Sequence, residues 1–328
     1  MKKIVTISGG TGGFMLLSGL KKYPVQLSAI VNMVDNGGSS GILRDELGVL
    51  PPGDVRQCLV ALSESSQTLR TLMSYRFENG NLQGHSFGNL LLSALEKING
   101  NFSSAIESAS HILSVKDEVI PVTTSKIHLY LRLSNGNILS GESAIKHDRT
   151  IQEIGTSSLY IEPKAMANPK AIKRIIEADL IVIGPGDFYC SILPNLLIKG
   201  IASAICRSKA TVIFNCNITN RKGITRYFTL DDYVDTLHSF LGKERIDFVT
   251  MNKQTPPLSI IKKYEEQEES MVLFNVKQNL KRNFKVFKAD LLSNKIFTYS
   301  QVDQIAKERA FIRHDSDKLA KLLMKILN

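Results

Sequence analysis

Apolar positions early in the chain come in short runs that stop at glycine. Lys3–Ser8 is β-rich and has the length of a buried strand. A glycine cluster interrupts it, Phe14–Lys22 then takes helical spacing, and Leu27–Val34 is a second apolar run. Strand, glycine loop, helix and strand, in that order, open a parallel βαβ unit. Asp54–Ser63 puts Val55, Leu59 and Leu62 on one helical face, and Pro51-Pro52 block any helix from running into it. Helices are predicted at Asn89–Ile98 and Ser103–Leu113, with a turn at Asn99-Gly100 between them.

The period then changes. Ile127, Leu129, Leu131 and Leu133 alternate with Lys126, His128, Tyr130 and Arg132, as in a strand with one buried face. Asn135-Gly136 tolerates the positive φ of a hairpin turn, and Ile138–Glu142 is the predicted return strand. Val119–Tyr160 therefore looks like a β insertion in an α/β core. The α/β pattern resumes with a helix at Pro169–Ala178, a buried strand at Leu180–Ile183, helices around Ser191–Ile205 and a strand at Thr211–Cys216. Asp231–Leu241 is a helix capped by Thr229 or a neighbouring Asp. Ile246–Thr250 and Phe284–Lys288 are further strand candidates, with a polar break at Glu265–Glu269. Asp317–Leu327 closes the chain as an amphipathic helix whose apolar side holds Leu319, Leu322, Leu323, Ile326 and Leu327.

Composition narrows the class. A chain of 328 residues with 43% hydrophobic and 22% charged residues can bury a sizeable core, which excludes a disordered chain. The net charge of +10 is first a solvated basic surface, and otherwise one that attracts nucleic acid or an anionic ligand. No recognised nucleic-acid module accompanies that charge, so no nucleic-acid partner is expected. Cys58, Cys190, Cys206 and Cys216 form no C-x-x-C pair, which argues against a zinc ribbon or a redox motif. The histidines show no metal-ligand spacing. Scattered thiols, no signal-peptide pattern and no apolar run near the roughly 18 residues of a membrane span lead us to expect a cytoplasmic protein.

The candidate chemistry lies in the loops. Ser8-Gly9-Gly10-Thr11-Gly12-Gly13, Asp35-Asn36-Gly37-Gly38-Ser39-Ser40-Gly41, Gly184-Pro185-Gly186-Asp187 and Asn215-Cys216-Asn217-Ile218-Thr219 each follow a predicted strand. In an open parallel sheet such loops can converge on one ligand in the crevice beyond the strand ends. Glycine lets backbone N–H groups approach an anion, and a following helix N-terminus adds partial positive charge. A nucleotide-type ligand held by its phosphates is the expectation. The first loop is no dinucleotide fingerprint, because Met15 stands where the last glycine belongs, and no G-K-[ST] marks a P-loop.

Gly37-Gly38-Ser39-Ser40-Gly41 also fits the G-x-S-x-G of a hydrolase elbow. Asp35-Asn36 intervenes after the strand, which displaces Ser39 from the strand tip. His85, four residues before Asn89 at a predicted helix start, is either a phosphate or acid group or a loop cap. Asp54 is either an N-cap or a ligand carboxylate, and Asp35 with Asp54 is a candidate pair for water-mediated Mg²⁺.

These loops, together with Leu50-Pro51-Pro52-Gly53-Asp54, Gly84-His85-Ser86-Phe87-Gly88-Asn89 and Ser191-Ile192-Leu193-Pro194-Asn195, resemble the CofD-like family from about Lys3 to about Thr219. One branch of that family holds 2-phospho-L-lactate transferases. They join a phospholactyl group from a guanosine-linked donor to a deazaflavin, with Mg²⁺. The other holds gluconeogenesis factors, regulators that resemble binders of UDP-sugars and are needed for cell shape on gluconeogenic carbon sources. The Leu-Pro-Pro-Gly-Asp and Ser-Ile-Leu-Pro-Asn-Leu-Leu segments are similar to the second branch. Asp187 departs from it where serine is expected. So does Ile218-Thr219-Asn220-Arg221-Lys222-Gly223-Ile224-Thr225, where Met-Thr-Gln-Pro-Gly-Glu-Thr is expected.

The resemblance implies a UDP-sugar ligand, with a homodimer and a cell-wall or metabolic regulatory partner as candidates. The expected fold is a single α/β domain with a Rossmann-like, doubly wound, mostly parallel sheet. Its core covers about 1–118 and 161–250, a β hairpin is inserted at about 119–160, and a C-terminal α/β extension covers about 251–328.

Overall fold

A computed structural model describes residues 1–295 and 310–328 of the chain. Among the described residues the strands are β1 (Lys2–Ser8), β2 (Val25–Val31), β3 (Glu118–Pro121), β4 (His128–Leu133), β5 (Ile138–Ser140), β6 (Thr156–Glu162), β7 (Leu180–Ile183), β8 (Thr211–Asn215), β9 (Phe248–Asn252) and β10 (Lys285–Ala289). Seven of them form one sheet in the order β10-β9-β8-β7-β1-β2-β3, and every neighbouring pair is parallel. The remaining three form a small antiparallel sheet, β5-β4-β6.

Strand order decides where a ligand can sit. The chain steps outward from β1 through β2 to β3, and from β7 through β8 and β9 to β10 in the opposite direction. Crossovers of one hand then send their helices to opposite faces, so the sheet is doubly wound. A crevice opens between the C-terminal ends of β1 and β7, where the direction reverses. All four residues of β7 are buried, as expected of a central strand covered on both faces.

Three helices follow the first two strands: α1 (Gly10–Leu20), α2 (Gly38–Leu47) and α3 (Gly53–Leu62). Helical spacing predicts the first helix from Phe14, with Gly9–Gly13 as a loop. In the structure Gly9 is the N-cap, and Gly10–Gly13 are helical. No helix is predicted at Gly38–Leu47, because a Gly-Ser-rich start and few apolar residues hide the periodicity. Both glycine clusters are therefore the first turns of helices.

The insertion also differs in detail. Glu118–Pro121 pairs in parallel with β2 and is the edge of the main sheet, so the insertion begins after it. The predicted hairpin is present as β4 and β5, and β6 joins as a third strand. The return strand stops at Ser140, and Gly141–His147 is a helix rather than its continuation. At the other edge, β9 and β10 extend the same sheet. The predicted break at Glu265–Glu269 overlaps the end of a helix, Leu258–Glu266. Residues 296–309 of the expected extension lie outside the described residues.

α1 is clamped between α3 and the closing helix Ser316–Leu327. A Cβ on Gly19 would lie 2.0 Å from the carbonyl oxygen of Ser316, which is backbone and cannot swing away. Gly19→Ala is expected to destabilise the fold by about 1–3 kcal/mol through overpacking. A urea midpoint equal to that of the parent protein would show that the two helices have room to separate.

Candidate functional site

A cavity of about 250 Å³ occupies the crevice between β1 and β7. One side is built from helix starts. Gly9, Gly10, Thr11 and Gly12 come from the N-cap and first turn of α1. Gly37, Gly38, Ser39 and Ser40 come from that of α2, Gly53 and Asp54 from that of α3, and Asn89 from the first turn of the Phe87–Asn99 helix. Facing them are Pro185, Gly186 and Asp187 after β7, and Asn217 and Thr219 after β8. Helix N-termini carry unpaired N–H groups and partial positive charge, so four of them around one space favour an anion.

Glycine is required here on steric grounds. Gly10 has φ +52°, a left-handed backbone that a side chain would strain. A Cβ on Gly12 would lie 2.1 Å from the Pro185 carbonyl oxygen. This close approach packs α1 against the turn after β7.

Four of the expected site residues do not line the cavity. Gly13 is buried in α1, where a Cβ would lie 2.7 Å from Ser8 Oγ. Gly184 sits behind the β7 turn and donates its N–H to the Ile7 carbonyl. Asn36 holds the insertion, its Oδ1 accepting from the Ser143 N–H at 3.1 Å. His85 pairs through Nδ1 with Ser39 Oγ at 3.2 Å, which favours the loop-anchoring alternative of its two readings.

Ser39 is the hub of that anchor. Its Oγ accepts from Asn89 Nδ2 at 3.2 Å and from the Ser86 N–H at 3.4 Å. Asn89 Oδ1 in turn accepts from Arg56 Nε at 2.8 Å. The hydrolase elbow is not formed, because Ser39 lies inside the first turn of α2 and its lone pairs already tie α2 to the Phe87–Asn99 helix.

Several residues of the cavity lie outside the predicted loops. Glu142 and Lys146 reach it from the Gly141–His147 helix as an i,i+4 ion pair. Their spacing was in the sequence, but reading Glu142 as the end of a strand concealed it. Arg221 reaches the cavity from the altered loop and pairs with Glu269 at 3.3 Å, while its neighbour Lys222 pairs with Glu268. Ile312, Arg313 and His314 arrive from the far end of the chain, and no local motif announces them.

Carboxylates temper the positive field. Asp54 is buried beside Asp35, and both effects push its carboxyl well above the usual range, burial more than charge. Burial also pushes Glu142 up to about 7, against the opposing pull of Lys146. Lys146 remains a cation, because Glu142 and Asp187 outweigh its burial. Asp35 Oδ1 accepts from the Gly37 N–H at 2.9 Å and so shapes the entry to α2. Asp187 Oδ1 accepts from the Cys190 N–H at 2.9 Å and caps the turn after β7. Among the described residues no three His, Cys, Asp or Glu side chains are grouped as a metal cage.

The family profile described as 2-phospho-L-lactate transferase CofD matches residues 4–292. The chain belongs to the CofD family. Within that family it is 37% identical to the gluconeogenesis factor of Bacillus subtilis, over 99% of this chain and 98% of that one. It is 36% identical to the gluconeogenesis factor of Listeria innocua, over 99% and 95%. A crystal structure of a Bacillus halodurans protein superposes with a TM-score of 0.88 at 34% identity, covering 98% of this chain and 99% of that one. A second crystal structure from the same organism gives 0.89 at 33% identity, covering 99% and 100%. The CofD-family fold is thus present over nearly the whole chain. No helix among the described residues is long and apolar enough to cross a membrane.

The buried Asp54 carboxyl makes a pH prediction. The unfolded chain releases this proton first, so stability falls as pH rises from the usual carboxylate range through the raised folded value. Asp54→Asn mimics the protonated form. Urea denaturation with EDTA present should show the variant more stable than the parent at pH 8 and the gap closing toward pH 4. A variant less stable at pH 8 would mean that the carboxylate is ionised and held by the helix ends.

Proposed function

We propose that this CofD-family protein is a nucleotide-sugar-binding regulator that takes the diphosphate of a UDP-sugar in the β1/β7 crevice. The observation that carries the reading is the convergence of four helix starts, three of them glycine-lined, on one cavity. Lys146 and Arg221 add cationic side chains to the same space. The name gluconeogenesis factor on full-length relatives supports a role in gluconeogenic growth, with cell shape as the process served. A regulator of this kind works in the cytoplasm, as a homodimer or with a cell-wall or metabolic partner that reads the ligand-bound state.

A second reading is favoured by the carboxylates at the cavity and by the family's transferase name. It is a phospholactyl transfer from a nucleotide-linked donor to a deazaflavin. Asp35 and Asp54 suit Mg²⁺, which takes one or two carboxylates together with phosphate oxygens and water rather than a cage of side chains. Bound there, Mg²⁺ would neutralise charge on the diphosphate. A transferase also needs a positioned acceptor, and no observed feature assigns one.

Calorimetry with UDP-glucose and UDP-N-acetylglucosamine should give saturable binding. Incubation with UDP- and GDP-linked donors, a deazaflavin and Mg²⁺ should give no new phosphodiester by mass spectrometry. A product that disappears in Asp35→Asn would replace the regulator with the transferase.

A further inference from the structure

The inserted segment lies against three of the loops that surround the cavity. Asn36, after β2, accepts at Oδ1 from the Ser143 N–H at 3.1 Å, and its amide leaves no room for a Cβ on Gly141. Gly141 also has φ +84°, so this docking point needs glycine twice over. Cys190, in the turn after β7, donates from Sγ to the Glu142 carbonyl at 4.0 Å. In the altered loop after β8, Arg226 Nη1 donates to Gln152 Oε1 at 3.0 Å, and a Cβ on Gly223 would lie 3.3 Å from the Asp148 carbonyl oxygen. Residues 141–152 therefore bridge loops from both sides of the β1/β7 reversal.

Two side chains of this span line the cavity. Glu142 and Lys146 stand four residues apart on the Gly141–His147 helix and form an ion pair, with side chains 10% and 25% exposed. Such a pair adds little to a helix of two turns, and burying two charges offsets much of their attraction. Its place on the cavity wall matters more. Lys146 donates to the Glu142 carboxylate, while Asp35 and Asp187 repel that carboxylate. The charge of Lys146 also acts on Asp54, whose carboxylate lies over Gly9 and Gly10 at the start of α1. The cation thus faces the helix start where an anion is favoured. Glu142 is short and fixed to its helix, but the ammonium rides on a flexible stem with three donors and can turn to another acceptor. A phosphate on the helix starts carries more charge than a carboxylate, and N–H groups already meet part of it.

Resting on the nucleotide-sugar reading above, we propose that Lys146 is a phosphate-reading residue supplied by the insertion, and that Glu142 is the counter-ion from which an incoming phosphate takes it. The wall formed by residues 141–152 then responds to ligand charge. A phosphate ester or diphosphate draws Lys146 to itself and releases Glu142. A neutral sugar or nucleoside leaves the pair intact.

The test is calorimetry at pH 7.5 with pyrophosphate, UDP and UDP-glucose. Lys146→Gln should weaken all three by about ten- to a hundredfold, as for loss of a hydrogen bond between charged groups. Glu142→Gln should strengthen all three by about two- to fivefold, because the competing carboxylate is gone. Added to Lys146→Gln, the same change should bring no gain, since no cation is left to compete for. An equal gain in both backgrounds would mean simple repulsion between Glu142 and the ligand, and it overturns the exchange. Unchanged affinity in Lys146→Gln overturns it too, as does a loss confined to UDP-glucose, which would place Lys146 at the sugar. If Lys146→Gln alone fails to fold, the Glu142→Gln/Lys146→Gln double variant, with its neutral pair of similar size, is compared with Glu142→Gln. A tenfold or greater loss is expected there, and none overturns the inference. Wild-type protein that binds pyrophosphate but neither nucleotide overturns the nucleotide-sugar reading and leaves the exchange standing. Wild-type protein that binds none of the probes overturns both.

Discussion

The first turn of α1 lies against the turn after β7 with no space for a side chain between them. The Gly12 position comes so close to the Pro185 carbonyl that a methyl group would overlap it. This contact bridges the two strands at which the sheet reverses direction, and it brings a helix start to the base of the crevice. α3 packs on α1, and Asp54 in the first turn of α3 lies over Gly9 and Gly10. The cavity therefore inherits its shape from one backbone-to-backbone contact, with side chains added around it.

Electrostatics follow from that geometry. Helix ends focused on one space create a field that attracts an anion, and the field would be unbalanced in the ligand-free protein. Asp35, Asp54, Glu142 and Asp187 sit in it, and two of them are pushed toward the protonated form by burial. Burial opposes the charge of Lys146, and Glu142 and Asp187 together keep it. The insertion takes part in this balance, because Asn36 fastens the helix that carries Glu142 and Lys146 to the loop after β2.

The altered loop after β8 is held in a way that its sequence does not announce. Arg221 and Lys222 replace residues expected from the branch, and they pair with Glu269 and Glu268. The Asn220 N–H donates to the Ser270 carbonyl, and the Val272 N–H donates to that of Ile218. Acids that read as a solvated break are thus partners for an apparently surplus basic pair. The loop is rebuilt with a different set of charges, and Arg221 still reaches the cavity.

The sequence by itself determined the parallel α/β core and the position of the glycine-rich segments beyond its strands. Leu180–Ile183 is a buried parallel strand that is apolar at every position, and positive φ or close backbone approach favours glycine. Such local demands leave a local trace. Gly9–Gly12, Gly37–Ser40, Asp54 and Pro185-Gly186 could be read for that reason. Other assignments rested on contacts between segments far apart in the chain. The helical start of α2 was hidden by its own glycines and serines. Glu118–Pro121 became an edge strand only because β2 was there to pair with it. His85 pairs with Ser39 away from the cavity, whereas His314 reaches the cavity from the far end of the chain. Neither histidine carries a pattern that distinguishes the two fates. The difference lies in which buried polar atoms lie within hydrogen-bonding reach, and only the folded chain sets that distance.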